Sequence, residues 1–232
     1  MTTPSGSFNL FRLFGDLLHV ASIFLLWTKI HKTRSCAGLS LKSQILFLSV
    51  YMTRYLDLFV FIFHRIDLYH LYNFVMKCLF IGSQAAVIYY MWFRYRPTYN
   101  AKLDTVRPEF IVLPCLVLSF FFFEADPRAN SLYYVREYFW TFSILLESVA
   151  ILPQMFLLSN TGEAESITTH YLLCLGLYRA FYLLNWIWRF IFYRSPEAVV
   201  VLAGILQTAL YSDFFYIYYK RVFSGRAFKL PI

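Results

Sequence analysis

The sequence predicts an all-α membrane protein with seven transmembrane helices. Three observations carry that prediction. Of 232 residues, 59% are apolar, 22% aromatic and 15% charged, where an ordinary soluble domain has about 25% charged residues; mean hydropathy is +0.55. The apolar residues fall in runs long enough to cross a bilayer core, about 18 positions or more. Lysines and arginines gather in alternate connections between those runs, as orientation by the positive-inside rule requires. The same composition excludes a water-soluble globule, a disordered chain and a coiled coil. Seven spans of about 20 residues use roughly 140 positions, which leaves no room for a separate soluble domain.

The spans are expected at about 8–29, 43–63, 69–93, 109–124, 136–158, 169–192 and 197–219. The first follows a short polar start with no basic n-region, so a cleaved signal peptide is not expected. The fourth is short, bounded by Pro108 and by Asp126-Pro127. The seventh opens with Ser195-Pro196-Glu197, an N-cap, a proline at the first helical position and an acid near the positive end of the dipole. Lys29, Lys32, Arg34 and Lys42 follow the first span; Arg94, Arg96, Lys102 and Arg107 follow the third; Lys220, Arg221, Arg226 and Lys229 follow the seventh. This bias, within the formal charge of +8, places the N-terminus outside or in a lumen and the tail, 220–232, in the cytosol. Cys36, Cys78, Cys115 and Cys174 lack metal-ligand or redox spacing, and there is no glycosylation sequon, so neither metal nor disulfide framework is indicated.

Odd span number suggests two three-helix units, about 8–93 and 136–219, around a linking helix at 109–124. A faint internal echo supports this. Ser43 precedes Arg54 by the same spacing that separates Thr168 from Arg179, and each arginine adjoins a tyrosine, Tyr55 and Tyr178. Parallel repeats about the membrane normal are a known transporter architecture.

The spans carry charge where a bilayer disfavours it: Arg12, Asp16, Arg54, Asp57, Lys77, Glu137, Glu147, Arg179, Arg189 and Asp213, together with His19. Each costs about 2.5–3.5 kcal/mol at a helix centre on insertion scales. Opposite signs are equal in number, so structural ion pairs and snorkelling ends account for part of the set. Helical phase argues for more. Arg12, Asp16 and His19 share one face of the first span; Glu137, Trp140 and Glu147 share one of the fifth; Arg179, Tyr182, Trp186 and Arg189 share one of the sixth. With Arg54, Tyr55 and Asp57 from the second, they describe a polar, aromatic-walled cavity with arginines suited to carboxylates. Trp27, Trp92 and Trp188 fit the interfacial belt. His19 is either a hydrogen-bonded core histidine or a titrating group beside Asp16.

At these residues the chain resembles the KDEL receptor family, the ER-retention receptors for soluble lumenal proteins. The resemblance rests on Asn9-Leu-Phe-Arg-Leu-Phe-Gly-Asp16, Arg34-Ser-Cys-Ala-Gly-Leu-Ser40, Arg54-Tyr-Leu-Asp-Leu-Phe59, Trp140-Thr-Phe-Ser-Ile144, Glu147-Ser-Val-Ala-Ile-Leu-Pro-Gln154 and Thr161-Gly-Glu-Ala-Glu165. It continues through Tyr182-Leu-Leu-Asn-Trp-Ile-Trp-Arg189, Ala203-Gly-Ile-Leu-Gln-Thr208 and Tyr211-Ser-Asp-Phe-Phe-Tyr216. It implies a SWEET-like fold of two PQ-loop-type triple-helix bundles joined by a linking helix; the Pro-Gln pair stands only in the second, as Pro153-Gln154.

The implied ligand is the free C-terminus of an escaped ER protein ending in KDEL, HDEL or a close variant. Arg54 with Tyr55 would hold the terminal carboxylate, and Arg12 and Arg189 would meet the ligand's acids. Asp57, Glu137 and Trp140 would receive the basic residue four from the end, with Trp186 in the wall. His19 would sense pH beside a lock of Glu147, Tyr178 and Arg179. Asp213, with Arg226 and Lys229 in the tail, would couple binding to transport. The resemblance further implies residence in the ER and cis-Golgi, cycling in COPI vesicles, and no cofactor or nucleic-acid partner. Two departures from the family pattern stand out: Thr2 to Ser7 lengthen the N-terminus, and the tail lacks an adjacent lysine pair.

A PQ-loop transporter of a small solute is the alternative. A neutral sugar would be met by amides and aromatics, so the arginines and acids argue against it. An intramembrane hydrolase would need a nucleophile and base, and neither Gly-x-Ser-x-Gly nor His-Glu-x-x-His occurs.

Overall fold

The structure is a computed structural model and describes residues 10–59, 68–124, 128, 130–161, 166–193 and 198–224. Among these residues every regular element is helical. In chain order they are α1 (Leu10–Thr33), α2 (Leu41–Arg54), α3 (Leu68–Tyr89), α4 (Glu109–Phe122), α5 (Ser131–Val149), α6 (Leu152–Thr161), α7 (Ser166–Tyr193) and α8 (Ala198–Ser224). A 3-10 turn, Leu56–Phe59, follows α2, and a π turn, Tyr90–Arg94, extends α3. Counting α5 and α6 as one interrupted rod, seven rods stand where seven spans are expected.

Among the described residues, three helices are long and apolar enough to cross a membrane by length and composition, Leu10–Thr33, His70–Arg94 and Ser131–Thr161; Glu109–Phe122 and Val199–Ser212 are shorter apolar helices. The exposed side of α4 carries Phe110, Leu113, Val117, Phe120 and Phe121, with Phe110 74% exposed. Apolar side chains at that exposure suit lipid rather than water.

The interruption between α5 and α6 has a local cause. Pro153 has no amide hydrogen and its ring crowds the carbonyl of Val149. The amide of Gln154 turns instead to Ser43 Oγ at 2.9 Å. Its side chain then takes two further partners, accepting from the Ser40 amide at 2.8 Å and donating to the Gly38 carbonyl at 2.9 Å. Gly38 supplies a backbone φ of 74° in the turn before α2, a conformation that side chains resist. Gln154 is fully buried, so each of these bonds replaces water that the site excludes.

The connection from α3 to α4 is tied to the same end of α2. Ser40 caps α2 by accepting from the Ser43 amide, and its hydroxyl donates to Asp104 at 2.9 Å. Asp104, 1% exposed, also accepts from the Tyr99 hydroxyl at 2.7 Å, and its carbonyl accepts from Lys42 Nζ at 2.5 Å. Burial first, then the Asp104 bond, pushes the Tyr99 phenol well above its ordinary range, so it stays a donor.

The chain divides into two compact units. One holds α1, α7 and α8; the other holds α2 to α6 with their connections. These units follow packing, whereas the triple-helix units expected at 8–93 and 136–219 follow chain order, and each of those crosses the division. Within the second unit, α2 packs on α5 and on α3, and α4 packs on α5. The second span, expected to run to 63, ends as α-helix at Arg54, where Tyr55 leaves helical geometry at φ −104°, ψ 34°.

Candidate functional site

The α1/α7/α8 unit brings together six of the residues singled out by sequence. Asp16 and His19 are each 6% exposed on α1, and Arg179 is 4% exposed on α7. Arg12 lies 3.9 Å from Asp16, one helical turn apart. The hydroxyl of Tyr182 donates a short hydrogen bond to Asp16. His19 stacks on Tyr178 with ring centroids 4.4 Å apart and planes 5° from parallel. Arg179 donates to the Tyr178 hydroxyl at 3.0 Å and sits 5.0 Å from the centre of the same ring. Tyr178 thus carries a histidine on its face and a guanidinium at its hydroxyl. The α1 backbone approaches closely enough for this because of Gly15, where a Cβ would stand 2.7 Å from the Tyr182 ring.

Trp186 continues the same face of α7, 5.8 Å from Tyr182 by ring centroids. It is seated against α8 at Gly204, where a Cβ would come within 2.9 Å of its ring. Arg189, half-buried, lies near the end of α7. Asn185, 5% exposed, and Gln207, 2% exposed, add buried amides to this unit.

The second unit holds the other half of the expected residues. Arg54, at the last turn of α2, is paired with Glu147 of α5, whose side chain is 2% exposed. Ser143 accepts from Arg54 Nε at 3.1 Å, and the Ser143 carbonyl accepts from Nη2 at 3.1 Å. Ser143 in turn donates to the Trp140 carbonyl at 2.6 Å, so the arginine is fixed by one turn of α5. Where α2 ends, the backbone carries Tyr55 and Asp57 clear of the helix. Asp57 accepts from Lys77 Nζ of α3 at 2.6 Å, and that ammonium lies 5.5 Å from the centre of the Tyr55 ring. Glu137 and Trp140 are half-buried on α5.

Three partnerships were not legible in the sequence. Lys77 stands out there as a charge within a span, but nothing assigns it to Asp57. Ser143 has no signal at all, since a serine on a helix is ordinary. Glu147, grouped with Tyr178 and Arg179 by resemblance, has Arg54 as its ion-pair partner here. Arg226, Lys229, the side chain of Asp213 and the acidic segment 162–165 lie outside the described residues. A cavity of about 350 Å³ lined by Lys42 and Arg107–Phe110 sits at the start of α4 and includes none of the expected site residues.

Among the described residues, helices alone, long apolar rods and buried arginine and carboxylate side chains are those of a polytopic membrane protein with charged groups inside it. Its family follows from comparison with known proteins. Residues 35–189 match the family model described as ER lumen protein retaining receptor. The chain is 51% identical over 223 residues to the ER lumen protein-retaining receptor of Drosophila melanogaster, covering 96% of this chain and 99% of that protein. The ER lumen protein-retaining receptor 2 of Homo sapiens and that of Danio rerio match with the same identity and coverage. The chain belongs to the ER lumen protein-retaining receptor family, a family of membrane receptors rather than one named for catalysis.

Proposed function

We propose that this chain is a pH-dependent sorting receptor for the C-terminal KDEL- or HDEL-type signal of escaped ER lumenal proteins. It binds the signal in the Golgi, with its N-terminus lumenal and its tail cytosolic, and returns cargo to the ER in COPI vesicles. The observation that carries the reading is Arg54. A guanidinium at a helix end within an apolar span, already paired with a carboxylate, is a group whose chemistry selects a carboxylate.

In this reading Arg54 with Tyr55 takes the terminal carboxylate, in exchange for Glu147. Arg12 and Arg189 take the two acidic side chains of the signal. Asp57, Glu137 and Trp140 take the basic residue four from the end through charge and cation–π attraction, and Trp186 walls the site. His19, on the Tyr178 face beside Arg179, supplies the pH response, because histidine is the side chain that ordinarily titrates between pH 5 and 8. For a histidine of ordinary acidity, the protonated fraction rises from about 0.17 at pH 7.2 to about 0.67 at pH 6.2. If only that form binds tightly, affinity grows about four-fold as pH falls. Asp213, Arg226 and Lys229 couple binding to coat recruitment. The repeat architecture of two PQ-loop bundles, similar to SWEET proteins, belongs to the same reading.

Peptide binding to the purified protein tests it. Peptides ending in His-Asp-Glu-Leu and Lys-Asp-Glu-Leu should bind more tightly at pH 6.2 than at 7.2, and a C-terminally amidated control should bind about 100-fold more weakly, as loss of one partner of a charge pair implies. Equal binding of acid and amide overturns the assignment. Uptake of a neutral solute into vesicles in the absence of peptide binding would favour a transporter instead.

A further inference from the structure

Lys77 stands midway along α3 between apolar neighbours, Phe74-Val-Met before it and Cys-Leu-Phe after it. An ammonium there is costly unless partnered. Its partner is Asp57 Oδ2, at 2.6 Å, and Tyr55 offers its ring face 5.5 Å away. The other carboxylate oxygen of Asp57, Oδ1, is buried and among the described residues accepts no hydrogen bond, while the side chain as a whole remains 46% exposed. All three residues belong to the same compact unit.

We propose that Lys77 is a specificity-determining residue, an intrachain stand-in that occupies the Asp57 carboxylate until the ligand's own cationic side chain competes for it. This rests on the receptor reading above, in which Asp57 receives the ligand's basic residue. The chemistry of the occupied site is the chemistry such a residue would need: an ammonium on a carboxylate beside an aromatic face. Asp57 and Lys77 together sum to no net charge, so a second cation meets attraction there only as Lys77 withdraws. Withdrawal is mechanically easy. The lysine head sits on a flexible four-carbon stem, and the Tyr55 ring offers it a second resting place. A pair as exposed as this one is also weak enough to exchange. If Lys77 occupies Asp57 about five parts to one, an incoming cation binds about six-fold more weakly than it would to a vacant carboxylate. The receptor's preference for a basic ligand residue is then held down by its own lysine.

A merely structural counter-ion would behave differently: neutralising it would weaken all ligands alike. The test compares peptides ending in Lys-Asp-Glu-Leu and norleucine-Asp-Glu-Leu, titrated calorimetrically at one pH and ionic strength against wild type, Lys77→Met and Lys77→Arg. Lys77→Met should raise the basic-to-neutral affinity ratio about six-fold, the inverse of the competition above. Lys77→Arg should lower the ratio, because a guanidinium grips a carboxylate through two donors. An unchanged or lower ratio in Lys77→Met overturns the proposal. Should that variant not fold, an unchanged or raised ratio in the charge-preserving Lys77→Arg overturns it equally. Failure of the wild type to bind either peptide defeats the receptor reading itself, whereas normal wild-type binding with a ratio indifferent to Lys77 defeats only this inference.

Discussion

The two compact units hold their charges by different means. In the α1/α7/α8 unit, the described partners of the charged groups are close in sequence or are tyrosines: Arg12 reaches one turn along its own helix to Asp16, Tyr182 donates to Asp16, and Arg179 rests on the adjacent Tyr178. In the α2–α6 unit, opposite charges join different helices, Arg54 with Glu147 and Lys77 with Asp57. A tyrosine hydroxyl bound to a charge can turn aside without leaving a bare opposite charge behind. An interhelical ion pair cannot, because removal of one member leaves the other in a medium that disfavours it. On the receptor reading above, the ion pairs of the second unit are the groups that would exchange one anion or cation for another.

The largest expected effect probes the exchanging pair. Arg54→Ala strands the Glu147 carboxylate, and breaking a buried pair in this way costs about 3–5 kcal/mol of stability. Thermal unfolding in detergent should show that loss, and adding Glu147→Gln should restore most of it. Peptide binding should stay absent in the double variant. If binding returns with stability, Arg54 is a structural cation and the comparison fails on its second side.

A smaller effect sharpens the first side. Gly15→Ala would put a methyl group 2.7 Å from the Tyr182 ring. That contact forces the ring and its hydroxyl away from Asp16, and overpacking of this kind costs about 1–3 kcal/mol. Gly82→Ala is the control, since its Cβ meets nothing within 4 Å. Equal melting temperatures for the two variants would show that α1 and α7 have slack at this point.

The smallest expected effect is on pH dependence. Without His19, affinity should vary little between about pH 6 and 7.5, so His19→Ala should lose the roughly four-fold gain on acidification that an ordinary histidine supplies. The sign is fixed by linkage: a ligand that prefers the protonated ring binds better at lower pH, and the dependence vanishes with the ring. A variant that keeps the wild-type slope would make His19 a core histidine stacked on Tyr178 and nothing more.

What sequence reveals here follows the range of the interactions involved. Hydropathy places the rods within about five residues at each end, except for the early end of α2, because apolar length is a property of a single segment. The shared face of Arg12, Asp16 and His19 is legible for the same reason. Asp57–Lys77 and Arg54–Glu147 are not, since helical phase says which way a side chain points on its own rod and nothing about which rod it meets. The early end of α2 at Arg54 also escapes hydropathy, which reads Leu56, Leu58 and Phe59 as more of the same span. Its importance is chemical: Tyr55, out of helical geometry, and Asp57, in the 3-10 turn that follows, lie just beyond the turn that anchors Arg54.

The break at Ala150-Ile151 gives α5 a mechanical character. Below it, Gln154 clamps α6 to the turn and first residues of α2 through three hydrogen bonds. Were the rod to tilt on its packing, the interruption beside the clamp would be its fulcrum. At 1.5 Å of rise per residue, Glu147 sits about 4.5 Å from that fulcrum and Trp140 about 15 Å. A tilt of about 5° would shift Glu147 by only ~0.4 Å but Trp140 by ~1.3 Å, from the same rise. The arm on which the ligand's basic residue is proposed to lie is thus geared at roughly three to one relative to the carboxylate that holds Arg54.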